Sequence, residues 1–247
     1  MNTKQDYIAV FDSGVGGISV LRHLRRVMPG ERYLYFGDSA NAPYGTKTKD
    51  EVEALTFAAA RHLMARGVKA LVVACNTATS AAIHDLREAY PDTIVIGIEP
   101  ALKLAYDRYH GGGIGVMATT MTLREEKFEA LMHRYDQSCR IYKIPAPGLV
   151  ELVERGQADS PEAESLLREL FAPYQGKLDE VVLGCTHYPF AAKAISRVLG
   201  SGVALLDGGD GTARETRRRL AEAGLLENGT GEVILTNSLP DESILEL

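Results

Sequence analysis

Nine short apolar runs, separated by amphipathic stretches, constrain the fold of this chain more than any single motif. They are Tyr7–Phe11, Arg32–Phe36, Ala70–Ala74, Ile94–Ile98, Gly113–Ala118, Cys139–Ile144, Glu180–Leu183, Val203–Leu206 and Glu232–Thr236. Several are near-continuous rather than alternating, as expected of parallel strands covered on both faces. The clearest stretch between them is Lys49–Arg66, where Thr48 and Glu51 have the spacing of a capping box. Val52, Leu55, Ala59, Leu63 and Met64 follow at helical spacing. Ser160-Pro161 opens another helix, with serine as N-cap and proline in the first turn. Repeated β-α units predict an α/β fold of open, mainly parallel sheets with helices on both faces. Ligands of such sheets bind at the carboxyl ends of strands, so the loops after the strands are where chemistry is expected.

A chain of 247 residues has room for one or two domains. Its net charge of −6 does not suggest an electrostatic nucleic-acid binder. The basic run Arg217–Arg219 lies in a helical pattern and reads as a solvated face. The most apolar stretch, Ala70–Cys75, is far shorter than the roughly 18 residues a membrane span needs. No apolar leader precedes the first strand-like run, so the expected compartment is the cytoplasm. Three cysteines do not make a disulfide framework, which leaves metal or catalytic roles open to them. Asn228-Gly-Thr fits a glycosylation pattern, but without secretion it reads as a turn.

One internal echo points to chemistry. Val72-Val-Ala-Cys75-Asn-Thr77 resembles Val182-Leu-Gly-Cys185-Thr-His187: an apolar strand, a small residue, a cysteine, then polar residues opening a turn. The two are separated by about the length of a small domain. A lone cysteine after a buried strand is usually an inert small hydrophobe, and Cys139 reads so. Two in matched settings are better read as reactive groups. A helix N-terminus just beyond each sulfur would favour thiolate. A facing thiol and thiolate could take a proton from one side of a carbon and return one on the other, as racemisation requires. His187 is placed to orient or activate the second sulfur. His23, His62, His84, His110 and His133 read as surface or packing residues.

Asp12-Ser-Gly-Val-Gly-Gly17 follows the first strand and opens a helix, where glycines and free N–H groups suit an anion. It is not a dinucleotide fingerprint, because Ser19 takes the last glycine's place. Asp12 could pair with an ammonium or serve the nearby sulfur; alternatively Asp12 or Ser13 caps the helix. Pro43-Tyr44-Gly45 is either a turn or a source of ligand contacts. Asn76, Thr77 and Thr186 are cap formers that could also donate to a carboxylate. Cys75, Cys185, His187 and Asp12 are acceptable zinc ligands, but no short ligand pair supports a metal site. A cysteine hydrolase could use Cys185 and His187, leaving Cys75 without a role.

Together these residues resemble the glutamate racemases, within the cofactor-independent aspartate/glutamate racemase superfamily. The matching motifs are Phe11–Gly17, Pro43–Gly45, Ala74-Cys-Asn-Thr-Ala78 and Gly184-Cys-Thr-His-Tyr-Pro189, in the family's order and over nearly the whole chain. His187, where aspartate racemases typically carry glutamate, favours glutamate as substrate. The resemblance implies two pseudo-symmetric α/β domains with the active site in the cleft between them: residues 1–98 plus 207–247, and 99–206. It implies that Cys75 takes the α-proton of D-glutamate with help from Asp12, and Cys185 that of L-glutamate with help from His187. Glu154 matches a family glutamate near that histidine. Asp12, Ser13, Tyr44, Gly45, Asn76, Thr77, Thr186 and His187 would hold the substrate. No cofactor and no metal are implied, and the product would feed peptidoglycan synthesis. The expected partners are glutamate and a second copy in a homodimer, with neither nucleic acid nor membrane.

The chain departs from the family pattern at Ala146, Glu151, Glu125, Phe128 and Asp207–Asp210, all outside the four motifs. Two further readings remain at this stage. One is a racemase or decarboxylase of the same superfamily acting on another small acid. The other is a non-catalytic amino-acid-binding protein that retains the fold.

Overall fold

Each apolar run becomes a strand within two residues of its expected ends. In the computed structural model, which describes residues 3, 6–99, 101–108, 112–124 and 139–239, the strands are β1 (Tyr7–Asp12), β2 (Tyr33–Gly37), β3 (Val68–Val73), β4 (Ile94–Gly97), β5 (Gly113–Ala118), β6 (Arg140–Pro145), β7 (Glu180–Leu183), β8 (Ala204–Asp207) and β9 (Val233–Asn237). The helices are α1 (Ile18–Val27), α2 (Lys49–Met64), α3 (Asn76–Ala89), α4 (Leu102–Arg108), α5 (Thr120–Arg124), α6 (Leu149–Glu154), α7 (Pro161–Phe171), α8 (Ala192–Leu199) and α9 (Gly209–Glu222). His110, His133, Glu125 and Phe128 lie outside the described residues.

The strands form two parallel sheets, in the orders β4-β3-β1-β2-β9 and β6-β5-β7-β8. The chain divides accordingly into two compact units, Met1–Glu99 with Gly209–Leu247, and Pro100–Gly208. Both sheets are wound alike. In the first the chain passes from β1 outward to β2, returns past β1 to β3, and continues to β4. In the second it passes from β5 to β6, returns to β7, and continues to β8. The winding therefore reverses between β1 and β3 and between β5 and β7, which is where ligands bind in open sheets of this kind.

Strand periodicity explains why these runs read as almost unbroken. In β5, Ile114, Val116 and Ala118 join a core with Leu102, Val182 and Leu206. Met117, between them, points to the opposite core with Leu149, Leu167, Phe171, Val181 and Leu183. Successive side chains of a strand alternate faces, so a strand covered on both sides must be apolar throughout. In the first unit Ile8, Val10, Tyr33, Tyr35 and Val72 pack against Val20, Leu21 and Leu24 of α1 and Ala213 and Leu220 of α9.

The expected caps form. Thr48 Oγ1 accepts from Glu51 N–H at 3.3 Å and Glu51 returns a bond to Thr48 N–H at 2.8 Å. Ser160 Oγ accepts from Ala163 N–H at 3.1 Å, with Pro161 in the first turn. On α2, however, the buried face is Val52, Thr56, Ala59, Ala60 and Leu63, whereas Leu55 and Met64 are only half-buried. Thr56 tolerates the core because its hydroxyl bonds to Val52 O at 2.7 Å. Arg217–Arg219 form an exposed stretch of α9, and Arg218 pairs with Glu215 and Glu222. Among the described residues no helix is long and apolar enough to cross a membrane.

Candidate active site

The first constellation lies at the carboxyl ends of β1, β2 and β3. Parallel pairing aligns Phe11 with Val73 and Asp12 with Gly37. The alignment continues beyond the strands: Ala74 N–H bonds to Phe11 O at 2.8 Å and Asp38 N–H to Asp12 O at 2.9 Å. Asp12, Ser13 and Cys75 are thus brought together, each at most 5% exposed.

Cys75 is the N-cap of α3. Its Sγ accepts from Ala78 N–H at 3.4 Å and lies 3.4 Å from the Ser13 hydroxyl, to which the thiol donates. A helix N-terminus and an N–H donor both stabilise negative charge on that sulfur. Asn76 and Thr77 open the helix and are buried. Among the described residues, Asn76 Oδ1 is buried without a hydrogen-bond partner.

Asp12 and Ser13 do not cap α1. The N-cap of that helix is Gly17, which has no side-chain bond. Asp12 Oδ1 instead accepts from Gly14 N–H at 3.1 Å, folding the loop back on itself. A side chain at Gly17 would meet Asp12 Cβ at 2.5 Å and the Tyr35 ring at 3.0 Å, so glycine is needed for this close approach.

Tyr44 begins a 3-10 turn, Tyr44–Thr46, after a cis Ala42–Pro43 bond. It is a buried residue rather than part of an ordinary exposed turn, and its hydroxyl donates to Asp38 Oδ2 at 2.7 Å. Burial, the bond to Asp38 and the nearby Cys75 and Asp12 raise its pKa well above the usual tyrosine value, so the phenol stays neutral. Asp38, buried and also holding Asn41 Nδ2 at 3.0 Å, was not among the expected residues. Its signal in the sequence is an acid directly after β2, next to Asp12 at the end of β1.

The second constellation follows β7. Cys185, Thr186 and His187 are all buried. His187 Nδ1 lies 3.6 Å from Cys185 Sγ and 3.5 Å from Thr186 Oγ1, while Nε2 meets Glu154 Oε1 at 2.5 Å. Glu154, the last residue of α6, thereby fixes the ring that faces the sulfur. If the carboxylate accepts from Nε2–H, Nδ1 is left to exchange a proton with the thiol.

The expected helix start at Cys185 does not form. Cys75 O accepts from Thr79 N–H, four residues on, at 2.9 Å. The residue four after Cys185 is Pro189, which has no N–H to donate. Tyr188 N–H bonds to Cys185 O instead, at 3.1 Å, and a 3-10 turn (Tyr188–Ala191) precedes α8. The two sulfurs therefore differ: one caps a helix, the other faces an imidazole. Tyr188 is fully buried, and burial together with Cys185 and Glu151 raises its pKa far above normal.

Thr119 Oγ1 and Thr122 Oγ1 lie 3.0 Å apart at the end of β5. Cys139 is buried among apolar residues of the second unit. His23 contacts Arg26, and the His62 ring lies 5.3 Å from that of Phe36. His84 is exposed beside Asp85 and Glu88, the only group of potential metal ligands among the described residues.

A family model described as Asp/Glu/hydantoin racemase matches residues 17–216. A glutamate racemase of Clostridium perfringens is 48% identical over 247 residues, covering 99% of this chain and 95% of the relative. The chain belongs to the Asp/Glu racemase family. Two solved glutamate racemases share its fold. The enzyme from Thermus thermophilus, in complex with β-chloro-D-alanine, is 40% identical with a TM-score of 0.83, over 98% of this chain and 91% of that one. The enzyme from Francisella tularensis, in complex with D-glutamate, is 27% identical with a TM-score of 0.84, over 98% and 93%. Family membership at this identity and coverage makes the activity that of an isomerase, the racemisation of glutamate.

Proposed function

We propose that the chain interconverts L- and D-glutamate through two thiols, Cys75 and Cys185, which serve opposite faces of one α-carbon. The supporting observation is that each sheet presents one cysteine just after its third strand, beside the point where its winding reverses. One sulfur, as thiolate, removes the α-proton while the other, as thiol, delivers its own. The reverse reaction exchanges the roles. Cys75 acts on D-glutamate and Cys185 on L-glutamate.

The neighbours serve this chemistry. Asp12 assists Cys75. His187, oriented by Glu154, assists Cys185. Asn76 Oδ1, buried and unpaired among the described residues, suits a substrate ammonium. Ser13, Thr77 and Thr186 supply donors for carboxylate. Tyr44 gives its hydroxyl to Asp38, so it and Gly45 serve the substrate through the first N–H groups of their 3-10 turn, which have no acceptor within it. The α-proton of an amino acid is weakly acidic, so placement and preorganised donors must carry the barrier reduction. No cofactor or metal takes part in this scheme. We place the reaction in the cytoplasm, its D-glutamate feeding peptidoglycan synthesis. We take the assembly as a homodimer, which light scattering decides.

Cys75→Ser and Cys185→Ser each test the scheme. Each should lower racemisation by about 10²-fold or more, the usual scale for losing an acid/base group, while leaving the circular dichroism spectrum unchanged. Full racemisation by either folded variant would remove the two-thiol reading.

A further inference from the structure

Asn228 and Gly229 do not form a regular turn. They lie in an irregular strap, 225–232, that joins α9 to β9 and bends at Gly229. The strap is pinned on both sides of the pair. Leu225 O accepts from Lys69 Nζ at 3.0 Å, and Glu227 N–H donates to Glu31 Oε1 at 2.8 Å. Beyond the pair, a side chain at Gly231 would come within 2.4 Å of Pro29 O. The peptide between Asn228 and Gly229 rests on Gly30, where a side chain would meet Asn228 Cα at 2.8 Å and Gly229 N at 3.1 Å.

Two groups around this peptide bear on its chemistry. Gly229 has no side chain to shield its nitrogen, and both residues are exposed to water. The Glu227 side chain folds over the same glycine: a Cβ on Gly229 would lie 3.3 Å from Glu227 Oε1. Glu227 Oε2 is buried and, among the described residues, has no hydrogen-bond partner. The Glu227 carboxylate thus packs against the glycine whose peptide nitrogen, once deprotonated, would start an intramolecular reaction.

We propose that Asn228 is a site of self-modification, with Glu227 as the base that promotes it. The Gly229 nitrogen gives up its proton towards Glu227 and attacks Asn228 Cγ. A carbon–nitrogen bond forms, the side-chain amide bond breaks, and ammonia leaves carrying the transferred proton. Water then opens the cyclic imide at either carbonyl, giving aspartate or isoaspartate. Both products add a negative charge beside Glu227 and Glu31. Isoaspartate also lengthens the main chain by one methylene where the backbone already abuts Gly30. The modified strap therefore holds β9 less firmly.

The test is to incubate the purified protein in warm, mildly alkaline buffer and follow each asparagine by peptide mapping and isoaspartyl methyltransferase labelling. Asn228 should convert ahead of Asn41, Asn76 and Asn237, and faster in the folded protein than in urea. Glu227→Gln should slow it several-fold. Asn228→Gln should keep its melting temperature through an incubation that lowers that of the parent. If Glu227→Gln disturbs folding, the comparison of folded and urea-unfolded parent protein still decides. Conversion no faster in the folded chain, or unchanged in a folded Glu227→Gln variant, overturns the proposal.

Discussion

A short contact between the buried His187 and the part-buried Glu154, Nε2 to Oε1 at 2.5 Å, holds the ring that faces the second sulfur. Without the carboxylate the ring could turn or change tautomer, and Nδ1 would no longer be held towards Cys185. His187→Asn should therefore lower turnover by about 10²-fold, and Glu154→Gln by less, with an altered pH profile. Steady-state kinetics in both directions check this, and an unchanged profile in Glu154→Gln removes its positioning role. A second residue makes a prediction about pH. Glu180 opens β7 fully buried, neither carboxyl oxygen has a hydrogen bond among the described residues, and Arg108 Nε stands 3.5 Å away. Burial pushes its pKa above the ordinary carboxylate value; Arg108 pulls it back in part. The native state then binds that proton more tightly than the unfolded chain. The stabilising contribution is full below the ordinary value, about 4.3, and is lost as pH rises through the raised folded value. Glu180→Gln should thus be more stable than the parent at neutral pH, with the gain shrinking in acid. Urea midpoints at the two conditions check it, and a less stable variant at neutral pH contradicts it.

At the scale of elements, what was legible in the sequence was whatever short-range spacing encodes. Strand periodicity, the Thr48–Glu51 box and the Ser160-Pro161 start depend on residues a few positions apart, and all appear. The α3 start at Cys75 was legible for the same reason. The matching start at Cys185 does not form because the missing N–H of Pro189 outweighs the echo. Pairings across long separations were not legible. Lys69 looks out of place in β3, which the apolar pattern begins only at Ala70. Its ammonium is fully buried against Glu31, 2.6 Å away, and also reaches Leu225 O. Nothing local to Lys69 announces a partner on the loop before β2. Asp38 escapes for a different reason: Tyr44 is only 6 residues away, but it is buried against Asp38 only through the fold. The buried pair predicts an asymmetry. Lys69→Met alone leaves Glu31 uncompensated and should cost about 3–5 kcal/mol. The double variant Lys69→Met, Glu31→Leu should recover much of that loss. Denaturant unfolding of both decides, and a double variant no more stable than the single contradicts the account.

For the whole molecule, two sheets wound the same way explain why one short echo carried so much information. Cys75 and Cys185 follow topologically equivalent strands, so the echo marks equivalent places in two structures. Equivalence of position does not make the surroundings equivalent. A helix end and Ser13 surround one sulfur; an imidazole and a carboxylate stand behind the other. In the proposed scheme two different groups handle the proton on the two sides of the carbon. The most direct measurement starts from L-glutamate in D₂O and stops at low conversion. Proton NMR then reads the α-position of both enantiomers after their separation. Two thiols predict deuterium in the newly formed D-glutamate while the remaining L-glutamate keeps its proton, with the mirror result from D-glutamate. Deuterium appearing equally in recovered substrate and product, from either side, would mean that a single base serves both faces and would contradict the account.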